Sequence, residues 1–204
     1  MFRFLYIIIS LSFLINGCKE NSKMNIDIEN ILNEFQNRKK YDHFTIKILN
    51  LIDDKNIEQA LIDYIFEVAM ADKSVADFDT LKSLSLGFQY HYATWVLEAE
   101  VNNGGFNQYF QNIGIQFIEK AIEGFGKYKA IKTKIIVAKA FEIYRKEIDL
   151  HKSVKEKGTM EKFLESFNVP ELNKFDNEHY NSGDYISKLR VKYIRENLKE
   201  YIRK

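Results

Sequence analysis

Pro170 is the only proline in 204 residues, and nine glycines are few for a chain of this length. Proline and glycine interrupt helices and build tight turns, so their scarcity favours long helices over a turn-rich β architecture. The apolar residues agree. Beyond residue 26 they recur at helical spacing, and strand-like alternation is absent. Ile28, Ile31, Leu32 and Phe35 form one stripe. Asn56 is placed to cap a helix carrying Leu61, Tyr64, Ile65 and Val68. Leu84, Phe88, Trp95, Val96 and Ala99 mark a third helix ending near Val101, and Ile115, Ile118, Ile122 and Phe125 a fourth. The next stripe is Ile131, Ile135, Ala138 and Phe141. Residues 149–182, which include Pro170, read as a long connection with short helices, before a last helix on Ile186, Leu189, Tyr193 and Leu198. The expected fold is all-α: one multi-helix domain over residues 26–204.

The first seventeen residues are different. Arg3 is their only charge, and Phe4 to Ile15 is apolar except for Ser10 and Ser12. Twelve such positions span about 18 Å as a helix, short of the roughly 30 Å hydrocarbon core, so a secretory signal fits better than a membrane span. The segment ends Leu14-Ile15-Asn16-Gly17-Cys18. It resembles the lipobox of bacterial lipoproteins, with an aliphatic residue at Ile15 and a small one at Gly17; Asn16 departs from the usual residue. Cys18 is the only cysteine, which excludes an internal disulfide or a thiolate metal cluster. The expectation is a leader over 1–17, a lipidated Cys18 with a polar tether over 18–25, and a cell-envelope location on a membrane.

The most distinctive stretch runs from Trp95 to Phe110. An amphipathic helix enters Asn102-Asn103 and stops at Gly104-Gly105, residues that tolerate left-handed backbone. A second helix then restarts with Phe106, Tyr109 and Phe110 on one face. The product is a helix-turn-helix corner. Its run Glu100-Val-Asn102-Asn103-Gly104-Gly105-Phe106, followed by Gln108, Tyr109, Phe110 and Asn112, resembles a bacterial all-helical family named for its DNA-mimic member. The likeness covers roughly residues 60 to 203 and is most specific at the Asn-Asn-Gly-Gly-Phe core. It implies an all-α fold and a homodimer, because the DNA-mimic member is dimeric. That member displays an acidic surface like a DNA backbone and binds a DNA-binding regulator.

Charge argues against carrying that activity over. A DNA mimic needs excess negative charge to imitate one phosphate per about 1.7 Å of duplex axis. Removing Arg3 with the leader leaves 29 bases against 29 acids. Net neutrality also gives nucleic acid little to attract. The charge is uneven, however: Asp53 to Asp79 carries eight acids against Lys55 and Lys73, and Lys188 to Lys204 seven bases against Glu196 and Glu200. Two readings stay open: helix faces that attract one another across the fold, or an acidic patch that recruits a basic partner.

Chemistry is sparse. His43, His91, His151 and His179 are scattered without a helix-spaced zinc pair, and no phosphate loop, dinucleotide fingerprint or nucleophile elbow occurs. Glu98 and Glu100 lie two apart on a helix and so face different ways. The enzyme alternative rests on His91, Glu98 and Glu100; the structural reading packs His91 among Tyr90 and Tyr92. The sequence thus points to a membrane-anchored module that binds a protein without catalysis, cofactor or metal, of the immunity or inhibitor kind. Its candidate binding residues are Glu100, Asn102, Asn103, Gly104, Gly105, Phe106, Gln108 and Phe110.

Overall fold

The computed structural model describes residues 29–30, 32–69, 78–146 and 170–202. The leader, Cys18, the tether, Ile28, Ile31, Asp72, Asp77 and His151 lie outside them, as does the side chain of Val68. Residues 41–204 cluster as one compact unit; the described residues before Tyr41 belong to a separate one, in which 32–36 are helical. The fold is all-α, with no strand among the described residues.

In the compact unit α1 spans Ile46–Leu51 and α2 Asp54–Tyr64, which continues as a π-turn over Ile65–Ala69. A short α3 (Phe78–Lys82) leads into the central element, α4 (Leu86–Asn112), which is broken at Gly104-Gly105. Then come α5 (Ile118–Lys127), α6 (Ile131–Lys146), α7 (Pro170–Tyr180) and α8 (Ile186–Glu196), closed by a 3-10 turn over Leu198–Tyr201. α4 packs against α5, α7, α2 and the closing turn, while α6 packs on α5 and α7. The apolar core therefore wraps α4. Phe88 has Tyr64 at 5.2 Å and Tyr201 at 5.6 Å between ring centroids, joining both ends of the unit to it.

Two local expectations need correction, and a third becomes definite. α2 starts at Asp54, with extended Asp53 in the capping position, so Asn56 lies inside the helix rather than at its cap. Within the stretch read as a connection with short helices, residues 170–180 form one regular helix: proline suits a first helical turn, where its missing N–H costs no bond. Leu172, Phe175 and His179 of that helix are buried at helical spacing. On α6 the buried face is Thr133, Ile136, Val137, Ala140 and Tyr144, whereas Ile131 and Ile135 are half exposed. The hydroxyl of Thr133 accounts for the difference. It is satisfied by Asp184 Oδ2 at 3.1 Å, so a polar residue sits inside while two isoleucines face out.

Candidate functional site

The corner in α4 turns on Gly105, whose φ of +81° and ψ of −178° place it in a region essentially reserved for glycine. Gly104, at φ −163°, is extended backbone open to any residue. Breaking the helix strands carbonyls on one side and N–H groups on the other. α7 answers both. Tyr180 Oη donates to the Val101 carbonyl at 2.7 Å, and Phe106 N–H donates to Asp176 Oδ1 at 2.8 Å. Asp176 and Tyr180 are four apart and so share a helix face. The carboxylate also meets the positive end of the restarted helix. Burial raises the Asp176 pKa, and the Phe106 N–H opposes that shift.

Glu100 ties the two arms together. Its Oε2 accepts from Gln108 Nε2 at 2.9 Å and from Asn112 Nδ2 at 2.8 Å. Phe106, Tyr109 and Phe110 are all buried, as their common face requires. Phe110 stacks on Tyr144 at 4.1 Å, and Phe106 meets His179 edge-on at 5.8 Å. Asn102 and Asn103 are exposed, and the Tyr180 ring beside them is half exposed.

A second polar cluster lies under α8. The Arg190 guanidinium is buried and pairs with Glu58 at 2.6 Å and with Glu98. The Tyr128 ring lies 5.8 Å from it, within cation–π range. His91 is fully buried, and its Nε2–H donates to the Glu58 carbonyl at 3.0 Å. Burial, reinforced by the Arg190 charge, lowers its pKa to about 3, so the ring is neutral. Nearby, Arg195 reaches Asp54 at 2.7 Å and the Leu49 carbonyl at 2.7 Å.

His91 and Glu98 share the cluster around Arg190, while Glu100 is held at the corner. Glu98 serves Arg190, His91 serves a backbone carbonyl, and Glu100 braces the corner. No group of three or more His, Cys, Asp or Glu suited to a metal occurs among the described residues. Tyr90 and Tyr92 are buried along with His91, but the ring's polar partner is Glu58 on α2. An open groove between α2 and α8 is lined by Asp54, Lys55, Ser187 and Lys188 among others, and by none of the corner residues. Of the acidic segment, Glu58 is turned inward onto Arg190, while Asp54 meets Arg195 at the surface with its side chain 72% exposed; both pair with the basic C-terminal helix, which is the mutual-attraction reading for those two. Sequence alone gives Asp176 and Tyr180 no part in the corner. Their signal was an aspartate and a tyrosine at helical spacing, hidden because the proline ahead of them read as a connection.

Residues 82–197, from the end of α3 to just past α8, match the DMP19-like protein family. No curated protein matches the chain. The matched segment holds the corner, the α7 residues that satisfy it, and Arg190 with its Glu98 partner. It covers more than half of the sequence, and the chain belongs to the DMP19-like protein family.

Proposed function

We propose that this chain is a lipid-anchored envelope protein whose DMP19-like domain binds a protein partner without catalysis, as an immunity or inhibitor protein does. The observation that carries the reading is Leu14-Ile15-Asn16-Gly17-Cys18 at the end of a short apolar leader, with Cys18 the only thiol in the chain. Acyl chains on that cysteine hold a protein on a membrane, each buried methylene contributing about 0.8 kcal/mol. The state of the polar groups supports the non-catalytic half. Glu98 is engaged by Arg190, Glu100 by two side-chain amides, and His91 is neutral and fully buried. Within the corner, Gly105, Phe106 and Phe110 are structural, so Asn102, Asn103 and the outer edge of Tyr180 are the part offered to a partner. DNA mimicry does not suit a near-neutral chain in which two acids of the most acidic segment are already paired with Arg190 and Arg195.

The experiment is capture of partners by the lipidated protein from its native envelope, in parallel with an Asn102→Ala/Asn103→Ala variant. A partner retained by the parent and lost by the variant, with unchanged thermal melting, supports this surface. Equal capture by both removes the corner from the binding site. Turnover of an envelope substrate that disappears in Glu98→Gln would replace the binding reading with an enzymatic one.

A further inference from the structure

The exposed face of α6 carries charge and apolar surface in an arrangement that the fold does not use. Ile131 and Ile135, one helical turn apart, are 51% and 48% exposed. At 100° per residue they lie opposite the buried Thr133, Val137, Ala140 and Tyr144. Lys132, Lys139 and Lys146 run down one flank of this pair, and Lys134 and Arg145 down the other; all five are exposed. Glu142, the only acid of the helix, is exposed on the same line as the two isoleucines, two turns beyond Ile135, so the basic and apolar strip is that of the first half of α6.

We infer that the first half of this face rests on an anionic lipid surface, the membrane that the acyl anchor holds. The inference builds on the lipid-anchored reading above and adds an orientation to it. Lysines with four-carbon stems on both sides of an apolar strip can keep their ammonium groups among phosphates while the isoleucines reach the acyl boundary. Other occupants fit less well. A nucleic-acid backbone would engage the lysines and leave the isoleucines in water. A second copy docked through the same face would set bases against bases. Two half-exposed isoleucines also fall far short of the roughly 800 Å² per partner of a stable protein interface.

The test uses the mature chain, residues 18–204, with Cys18→Ser so that no lipid is attached. It is sedimented with vesicles of phosphatidylcholine alone or mixed with phosphatidylglycerol. Binding to the anionic vesicles only, with release at high salt, is expected. Lys132→Glu/Lys139→Glu should weaken it at least about tenfold, since one base near a charged surface contributes about fivefold. Ile131→Ser/Ile135→Ser should weaken it independently. Both pairs are exposed, so both variants should melt like the parent; the isoleucine pair decides if the lysine pair does not. No binding to anionic vesicles, equal binding to neutral ones, or parent-like binding by both variants would overturn the inference. So would capture of an acidic protein through this face without vesicle binding. Acyl labelling of Cys18 in cells is read separately. Labelled Cys18 without vesicle binding removes the α6 face and keeps the anchor, and vesicle binding with unlabelled Cys18 does the reverse.

Discussion

Gly105 and Gly104 are adjacent and chemically identical, yet the structure asks different things of them. At Gly105 an added Cβ would lie 2.4 Å from Asp176 Oδ2, on a backbone of positive φ that side chains rarely adopt. At Gly104 it would meet the end of the Gln108 side chain, which can swing away at the cost of its bond to Glu100. Gly105→Ala should therefore lower stability by about 1–3 kcal/mol or more, and Gly104→Ala by about 1 kcal/mol. Urea denaturation of both variants checks the order; equal effects would mean that the corner is not strained at Gly105. The corner itself was legible, because Asn-Asn-Gly-Gly between two apolar helices has few other uses. Which glycine carries the strain was not, since that depends on Asp176 arriving from 71 positions away. His91 gives a second test. Its folded pKa is depressed from 6.5 to about 3, so the unfolded chain gains a proton that the fold refuses. The stability involved is fully present above pH 6.5 and is lost as pH falls from 6.5 toward 3, at up to about 1.4 kcal/mol per unit. His91→Gln should flatten this dependence in denaturation curves taken at about pH 7 and about pH 5. An unchanged slope would show that the ring is charged or accessible.

Among the elements, α8 is pinned by charge and α7 by hydrogen bonds. Arg190 reaches α2 through Glu58 and α4 through Glu98, and Arg195 clasps the start of α2. Removing a buried partner leaves the other charges stranded, which typically costs about 3–5 kcal/mol. Glu58 and Glu98 keep about a fifth of their side-chain surface exposed and can be rehydrated. Arg190→Ala should thus fall near the lower end, about 3 kcal/mol. Arg190→Lys should recover only part, because an ammonium cannot span two carboxylates as a planar fork does. Thermal melting of the two variants gives the ranking, and a lysine variant as stable as the parent would contradict the bridging role. Helix order was largely readable from apolar spacing. The α6 face was not, because its interior uses a threonine and an alanine where isoleucines would be expected. For α7 the sequence gives short helices without their bounds, since a single proline marks a helix start as readily as a loop, and the partner that settles the matter is the distant corner.

Over the whole molecule, near-neutral composition conceals a division of labour between charges. Acids near the start of α2 are spent on arginines of α8, while the lysines of α6 face outward. Sequence alone pairs acidic and basic segments only by their totals; which acids turn inward depends on helix rotation within the packed unit. Membership in the DMP19-like protein family establishes the lineage of the domain. The dimer implied by the family resemblance is checked by light scattering of the mature chain, where about twice the monomer mass is expected and a monomer would set the resemblance aside on that point. The anchor is reached most directly by intact-mass and peptide mass spectrometry of the protein taken from its native envelope. The expected mature N-terminus is Cys18, carrying acyl mass that Cys18→Ser abolishes along with cleavage. An unmodified Cys18, or a mature protein that still carries residues 1–17, would contradict the lipid-anchored reading.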